Sequence, residues 1–381
     1  MSKVSRLLGD AVLKRTLVLH MDINRTIIQT DPAGGKTLDD VLNSNVASRV
    51  FGGNVNGDFE PSEGRFESVE TAHGGMSYAD YVDEVVKIPD SMQSGTAAEK
   101  RAAWKEVSAS RRQLLHSFTS SGSVGSAFSD KVEEQRAALA ETLDRGYHIV
   151  PSFFRLVNQL SELEWPFMVI FRTFGNDISK VLDEWDLFLE GKHLLLAAGP
   201  ILAAMRGRTR QCGALYRCEQ GMAIVWNRST PIPVASNDVD TTSMTPCEYV
   251  ATVDGVRDAH NVSFHALYDE LMANAKQGGG VLGLIDYYYY WSQHAEHRSA
   301  GKVFPVDETP NAPFQIFFDD NIFIGDPSSI VDLRDAITGE PMSLDKENEF
   351  CCHVLPYFAI TDENYFWKET LSRITAQMSV A

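Results

Sequence analysis

Three short apolar runs, each ending in a polar or acidic group, constrain this chain more than any other feature. Leu17, Val18 and Leu19 in TLVLHMDINRT lead to Asp22, PFMVIFRTFG leads to Thr173, and FQIFFDDNI leads to Asp319 and Asp320. Apolar and β-branched runs of this length, bounded by polar residues, read as buried strands. In an open parallel sheet, ligands collect beyond the carboxyl ends of the strands. The residues that close these runs are therefore the first candidates for chemistry.

The order Asp22, Ile23, Asn24, Arg25, Thr26 resembles the first signature of the haloacid dehalogenase (HAD) superfamily: an acid, a second acid two residues on, then Thr or Val. The segments ending at Thr173 and at Asp319–Asp320 stand, in chain order, where that family has its later signatures. Lys302, in AGKVFPV before the third strand, stands where the family keeps a basic residue, although Lys180 and Arg298 remain alternatives on sequence. The resemblance implies an α/β fold: a HAD-like (Rossmannoid) core with a mainly parallel sheet, helices on both faces and an inserted, mostly helical cap domain. Residues 1–29 would begin the core, 30–150 would form the cap, and 151–381 would complete the core, with a second insertion or a core extension near 190–265.

The same resemblance assigns roles. Asp22 would attack phosphorus to form an aspartyl-phosphate, Thr173 and Lys302 would hold the transferring oxygens, and water would release phosphate. Three carboxylates gathered at strand ends repel one another unless a divalent cation neutralises them, and oxygen donors of this kind suit Mg²⁺. Asp22, Asp319, Asp320 and the backbone carbonyl of Asn24 are its expected ligands, with Asp326 a second-tier candidate. Asn24 departs from the family pattern, which has at that position an acid that protonates the leaving oxygen and then deprotonates water. An amide does neither, and a general acid–base group typically contributes on the order of 10²–10⁴-fold in rate. Acyl phosphates and phosphoanhydrides, whose leaving groups depart without protonation, would suffer least. The expected function is an Mg²⁺-dependent phosphohydrolase or phosphotransferase acting on a small phosphorylated molecule. The alternative is a non-catalytic HAD-like protein that binds a phosphorylated ligand or a protein partner.

Composition narrows the partners. A net charge of −18 repels phosphate backbones and acidic membrane surfaces, which argues against nucleic acid while leaving room for a locally cationic site. No apolar run approaches the roughly 18 residues of a membrane span, and Asp10 and Lys14 interrupt what would be the apolar core of a signal peptide. The expectation is a cytoplasmic protein without a membrane partner. The five cysteines lack paired zinc-site spacing and read as thiols.

Other motifs carry bland readings. Gly34-Gly35-Lys36-Thr37 lacks the first glycine and the spacing of a phosphate loop, and reads as a turn followed by a helix cap at Thr37. Residues 51–76, rich in glycine, read as loop. Helices are expected over 97–118, 130–145, 153–163 and 362–377. His294 and His297 flank Glu296 without an accompanying ligand motif, and surface or hydrogen-bonding roles are expected of them.

Overall fold

Every residue of the first strand, β1 (Leu17–Asp22), is buried, which requires a neighbour on each edge and a helical layer on each face. A computed structural model describes residues 9–29, 36–66, 75–87, 97–235 and 243–380. The chain divides into two compact units, one of residues 1–28, 147–354 and 362–381, the other of 29–146 and 355–361. The turn expected at Gly34 and Gly35 lies outside the described residues.

After β1 the chain enters the second unit. There β2 (Val50–Val55), β3 (Asp58–Phe66) and β4 (Met76–Ser77) form a three-stranded antiparallel sheet, ordered β3–β2–β4. This differs from the loop expected over 51–76. Asn56 and Gly57, both at positive φ (57° and 99°), make a two-residue hairpin between Val55 and its partner Asp58. Within β2, position 52 takes glycine because a side chain there would meet the Glu60 carbonyl oxygen of the neighbouring strand at 2.2 Å. Helices Leu38–Ala47, Tyr78–Val85, Ala97–His116, Ser129–Asp144 and Pro356–Thr361 complete the unit. Thr37 caps the first of them: its Oγ1 accepts from the Asp40 backbone N–H, and the Asp40 carboxylate accepts from the Thr37 N–H.

The other unit is built on eight strands in the order β13–β11–β1–β5–β9–β6–β7–β8. These are β5 (Phe167–Thr173), β6 (Cys212–Cys218), β7 (Gly221–Trp226), β8 (His260–Val262), β9 (Val281–Ile285), β11 (Phe314–Asp319) and β13 (Cys351–His353), with β1 near the middle. The pairings from β13 to β6 are parallel, and only the edge pairs β6–β7 and β7–β8 are antiparallel. The stretch 190–265 thus extends the central sheet rather than forming a second insertion. β10 (Lys302–Val306) and β12 (Val331–Asp335) pair with each other, parallel, in a separate two-stranded sheet.

Alternation of side chains along β5 covers both faces. Ile170 packs with Leu267 and Leu271 of the helix Phe264–Gln277. Its neighbour Phe171 meets Phe153 and Trp185, at ring distances of 5.8 and 6.0 Å, from the helices Pro151–Glu162 and Ile178–Leu189. No helix among the described residues is long and apolar enough to cross a membrane.

Candidate functional site

Parallel pairing decides which groups meet. Met21 lies opposite Phe318 and Asp22 opposite Arg172, so β11, β1 and β5 end at one level. Asp319, Asp22 and Thr173 are thereby delivered side by side at the carboxyl edge of the sheet, with Asp320 one residue on. All four are buried.

Lys302 arrives from outside that sheet, at the first position of β10. Its Nζ donates to Asp22 Oδ1 at 2.5 Å and to Asp319 Oδ2 at 2.8 Å. The second Asp22 oxygen accepts from Thr26 Oγ1 at 2.9 Å, and the same Oγ1 accepts from the Asp320 backbone N–H at 3.2 Å. Arg25 Nη1 stands 3.3 Å from Asp320 Oδ2. The turn that brings it there holds Arg25 in the left-handed region, at φ 60°, a conformation that costs a non-glycine residue energy and persists where its surroundings enforce it. Asn321 closes the arrangement: its backbone N–H donates to Asp319 Oδ1 at 2.9 Å and its Nδ2 to Asp320 Oδ1 at 3.0 Å.

The electrostatics follow from burial. Loss of water and the neighbouring Asp319 push Asp22 well above the usual carboxylate range, against the pull of Lys302. Burial and Asp319 also raise Asp320, against Arg25. Burial alone would discharge Lys302, but Asp22, Asp319 and Asp286 outweigh it and hold the ammonium firmly charged. Asp22, Asp319 and Asp320 each offer an oxygen within 4.8 Å of the others. Three carboxylates form a hard oxygen donor set that could hold a divalent cation, beside the Lys302 ammonium that already bridges Asp22 and Asp319.

No family model matches this chain, and neither does any curated protein or solved structure. The site therefore rests on its own geometry. That geometry brings Asp22, Lys302, Asp319 and Asp320 into direct contact or near contact, and sets Thr173 and Asn24 beside them. Thr173 Oγ1 accepts from the Gly175 backbone N–H at 2.8 Å and lies 3.5 Å from Asn24 Oδ1. The other candidates for the basic position pair with other carboxylates, Lys180 with Asp177, which accepts from Asn24 Nδ2, and Arg298 with Glu347. Asp326 does not join the cluster: it is exposed in a turn, accepting from Ser328. His294 is bonded to Glu219 and the Tyr290 carbonyl, and His297 to Ser299.

The sequence assigns no side-chain role to Thr26, Arg25 or Asn321, nor does it give the partners in a buried network beside Lys302. Arg172, fully buried, pairs through Nε and Nη2 with the two Asp286 oxygens at 2.8 and 2.6 Å. Its Nη2 also donates to the Val303 carbonyl at 3.1 Å, and Arg217 Nη1 donates to the Gly301 carbonyl at 2.7 Å. The two guanidinium groups grip β10 on either side of Lys302. A signal was present, since an arginine inside the apolar run FMVIFRT must have a buried partner.

Proposed function

We propose that this chain is a HAD-like, Mg²⁺-dependent phosphohydrolase or phosphotransferase that works through an aspartyl-phosphate on Asp22. The observation that carries the reading is the meeting of Asp22, Lys302 and Asp319, from three separate strands, within hydrogen-bond distance at one sheet edge. Their order along the chain is that of the HAD signatures.

In this reading the Asp22 carboxylate attacks phosphorus, so that an oxygen–phosphorus bond forms as the leaving group departs. A carboxylate nucleophile divides one displacement into two easier ones. Lys302 and Thr173 donate to the transferring oxygens as charge builds on them. Asp22, Asp319, Asp320 and the Asn24 carbonyl would hold Mg²⁺, which supplies charge neutralisation for the phosphoryl group when bound. Asn24 cannot protonate a leaving oxygen, so the favoured substrates are small acyl phosphates or phosphoanhydrides. The amide at this position is also what favours the second reading, a HAD-like protein that binds a phosphorylated ligand or a protein partner without turning it over.

The test is Mg²⁺-dependent phosphate release from acetyl phosphate, p-nitrophenyl phosphate and a simple sugar phosphate, with Asp22→Asn as the blank. Release that needs Mg²⁺ and Asp22, ranked by leaving-group acidity, is the expected result. If all three stay at the blank level while phosphate still binds, the catalytic reading fails and the binding protein stands.

A further inference from the structure

Asp177 occupies the N-cap position of the helix Ile178–Leu189, where an aspartate ordinarily accepts from the first helical amides. It makes no such bond. Its side chain, 3% exposed, accepts from Asn24 Nδ2 at 3.0 Å through Oδ2 and from Lys180 Nζ, three residues on in the same helix, at 3.0 Å through Oδ1. A buried carboxylate has thus been brought, across 153 residues of sequence, onto the amide that stands two residues after the candidate nucleophile.

Gly175 adds the space. A side chain at this position would start 3.4 Å from Thr173 Oγ1, 3.6 Å from Asn24 Oδ1 and 3.8 Å from Asp177 Oδ2. Three oxygens from separate residues therefore border one gap that the missing side chain leaves open. One belongs to the residue expected to hold the transferring phosphoryl group, and another is a carboxylate able to take a proton. A general base acts at hydrogen-bond reach of its proton or through one water.

We propose that Asp177 is the general base of the hydrolytic half-reaction, doing from the second signature strand's turn what the amide of Asn24 cannot. This rests on the aspartyl-phosphate reading. A water beside Gly175 gives its proton to Asp177 Oδ2 as its oxygen bonds to phosphorus. The bond from phosphorus to Asp22 breaks, its electron pair returns to the Asp22 carboxylate, phosphate leaves, and Asp177 passes the proton to solvent. Asp177 plays no part in the first displacement, which needs no base because Asp22 is itself the nucleophile.

The two displacements separate in a rapid-mixing experiment on the full chain with Mg²⁺ and p-nitrophenyl phosphate, read as the burst of nitrophenolate and the steady rate that follows. Asp177→Asn should keep a burst of about one equivalent per site and lose steady turnover on the order of 10²–10⁴-fold, leaving Asp22 phosphorylated in the intact-mass spectrum. Gly175→Ala meets its neighbours only at ordinary contact distances, so the fold should hold while the gap is filled, and the same split is expected. Exchanging the pair, Asn24→Asp with Asp177→Asn, should restore turnover. The proposal is overturned if Asp177→Asn slows burst and turnover equally, or leaves turnover at the wild-type rate. A wild-type chain with neither burst nor turnover would instead remove the aspartyl-phosphate reading beneath it.

Discussion

Lys302 is a buried ammonium that has exchanged water for two carboxylates, and such an exchange is favourable only while both partners stay in place. If it also receives phosphoryl oxygens, Lys302→Ala should raise the dissociation constant for phosphate or vanadate by on the order of 10- to 100-fold, the worth of a charged hydrogen bond. An unchanged constant would withdraw the assignment. His20, on the same face of β1, makes a pH prediction. Burial first, and then the adjacent Arg172, hold its pKa well below 6.5, and Nδ1 accepts from Arg172 Nη1 at 3.1 Å. The unfolded chain takes up a proton near pH 6.5 that the folded chain refuses, so His20 supports stability above that pH and the support is lost as pH falls below it. Urea unfolding at a series of acidic pH values should show this loss, and His20→Phe should flatten it. A slope that survives the substitution would place the acid sensitivity elsewhere.

β10 is the element on which the candidate site depends most, because it lies outside the eight-stranded sheet and no ladder bond to that sheet fixes Lys302. Arg172 and Arg217 do so by gripping the carbonyls of Val303 and Gly301. Arg217→Gln should therefore weaken phosphate binding although Arg217 does not contact Asp22, and should add little once Lys302 is already Ala. Equal, additive losses in a double-mutant cycle would show that the grip does not act through Lys302. Arg172→Met strands the buried Asp286 and should cost about 3–5 kcal/mol in urea unfolding, most of it recovered by adding Asp286→Leu. A recovery that fails would mean the pair is needed for more than its charge balance. The hairpin β2–β3 teaches a different lesson about elements. Its glycines suggested loop, yet Asn56-Gly57 is the strongest local signal for a two-residue turn, and Gly52 is demanded by a close strand rather than by a bend.

At the scale of the whole molecule, a chain carrying a net charge of −18 concentrates three buried acids at one sheet edge, and a divalent cation bound there as proposed would stabilise the fold. Mg²⁺ at about 100 times its dissociation constant should add about 2.7 kcal/mol to the unfolding free energy, seen as a rise in Tm that chelator reverses. Asp319→Asn should abolish the rise, and a Tm indifferent to Mg²⁺ in the wild-type chain would count against a cation site. Much of this site was legible in the sequence. Apolar runs bounded by polar residues must be buried strands, and a strand that ends in Asp22, Thr173 or Asp319 carries that residue to an edge whatever its neighbours are. Lys302 is the expected basic residue, but sequence does not exclude Lys180 or Arg298, because a lysine or arginine in the sequence says nothing of where its charge lands. The tertiary structure, through the placing of β10, sets Lys302 on Asp22 and Asp319, Lys180 on Asp177 and Arg298 on Glu347. The same holds for Asp177 beside Asn24 and for Arg172 on Asp286: local sequence sets which residues end a strand or start a helix, whereas pairing across more than a hundred residues is decided by register and packing.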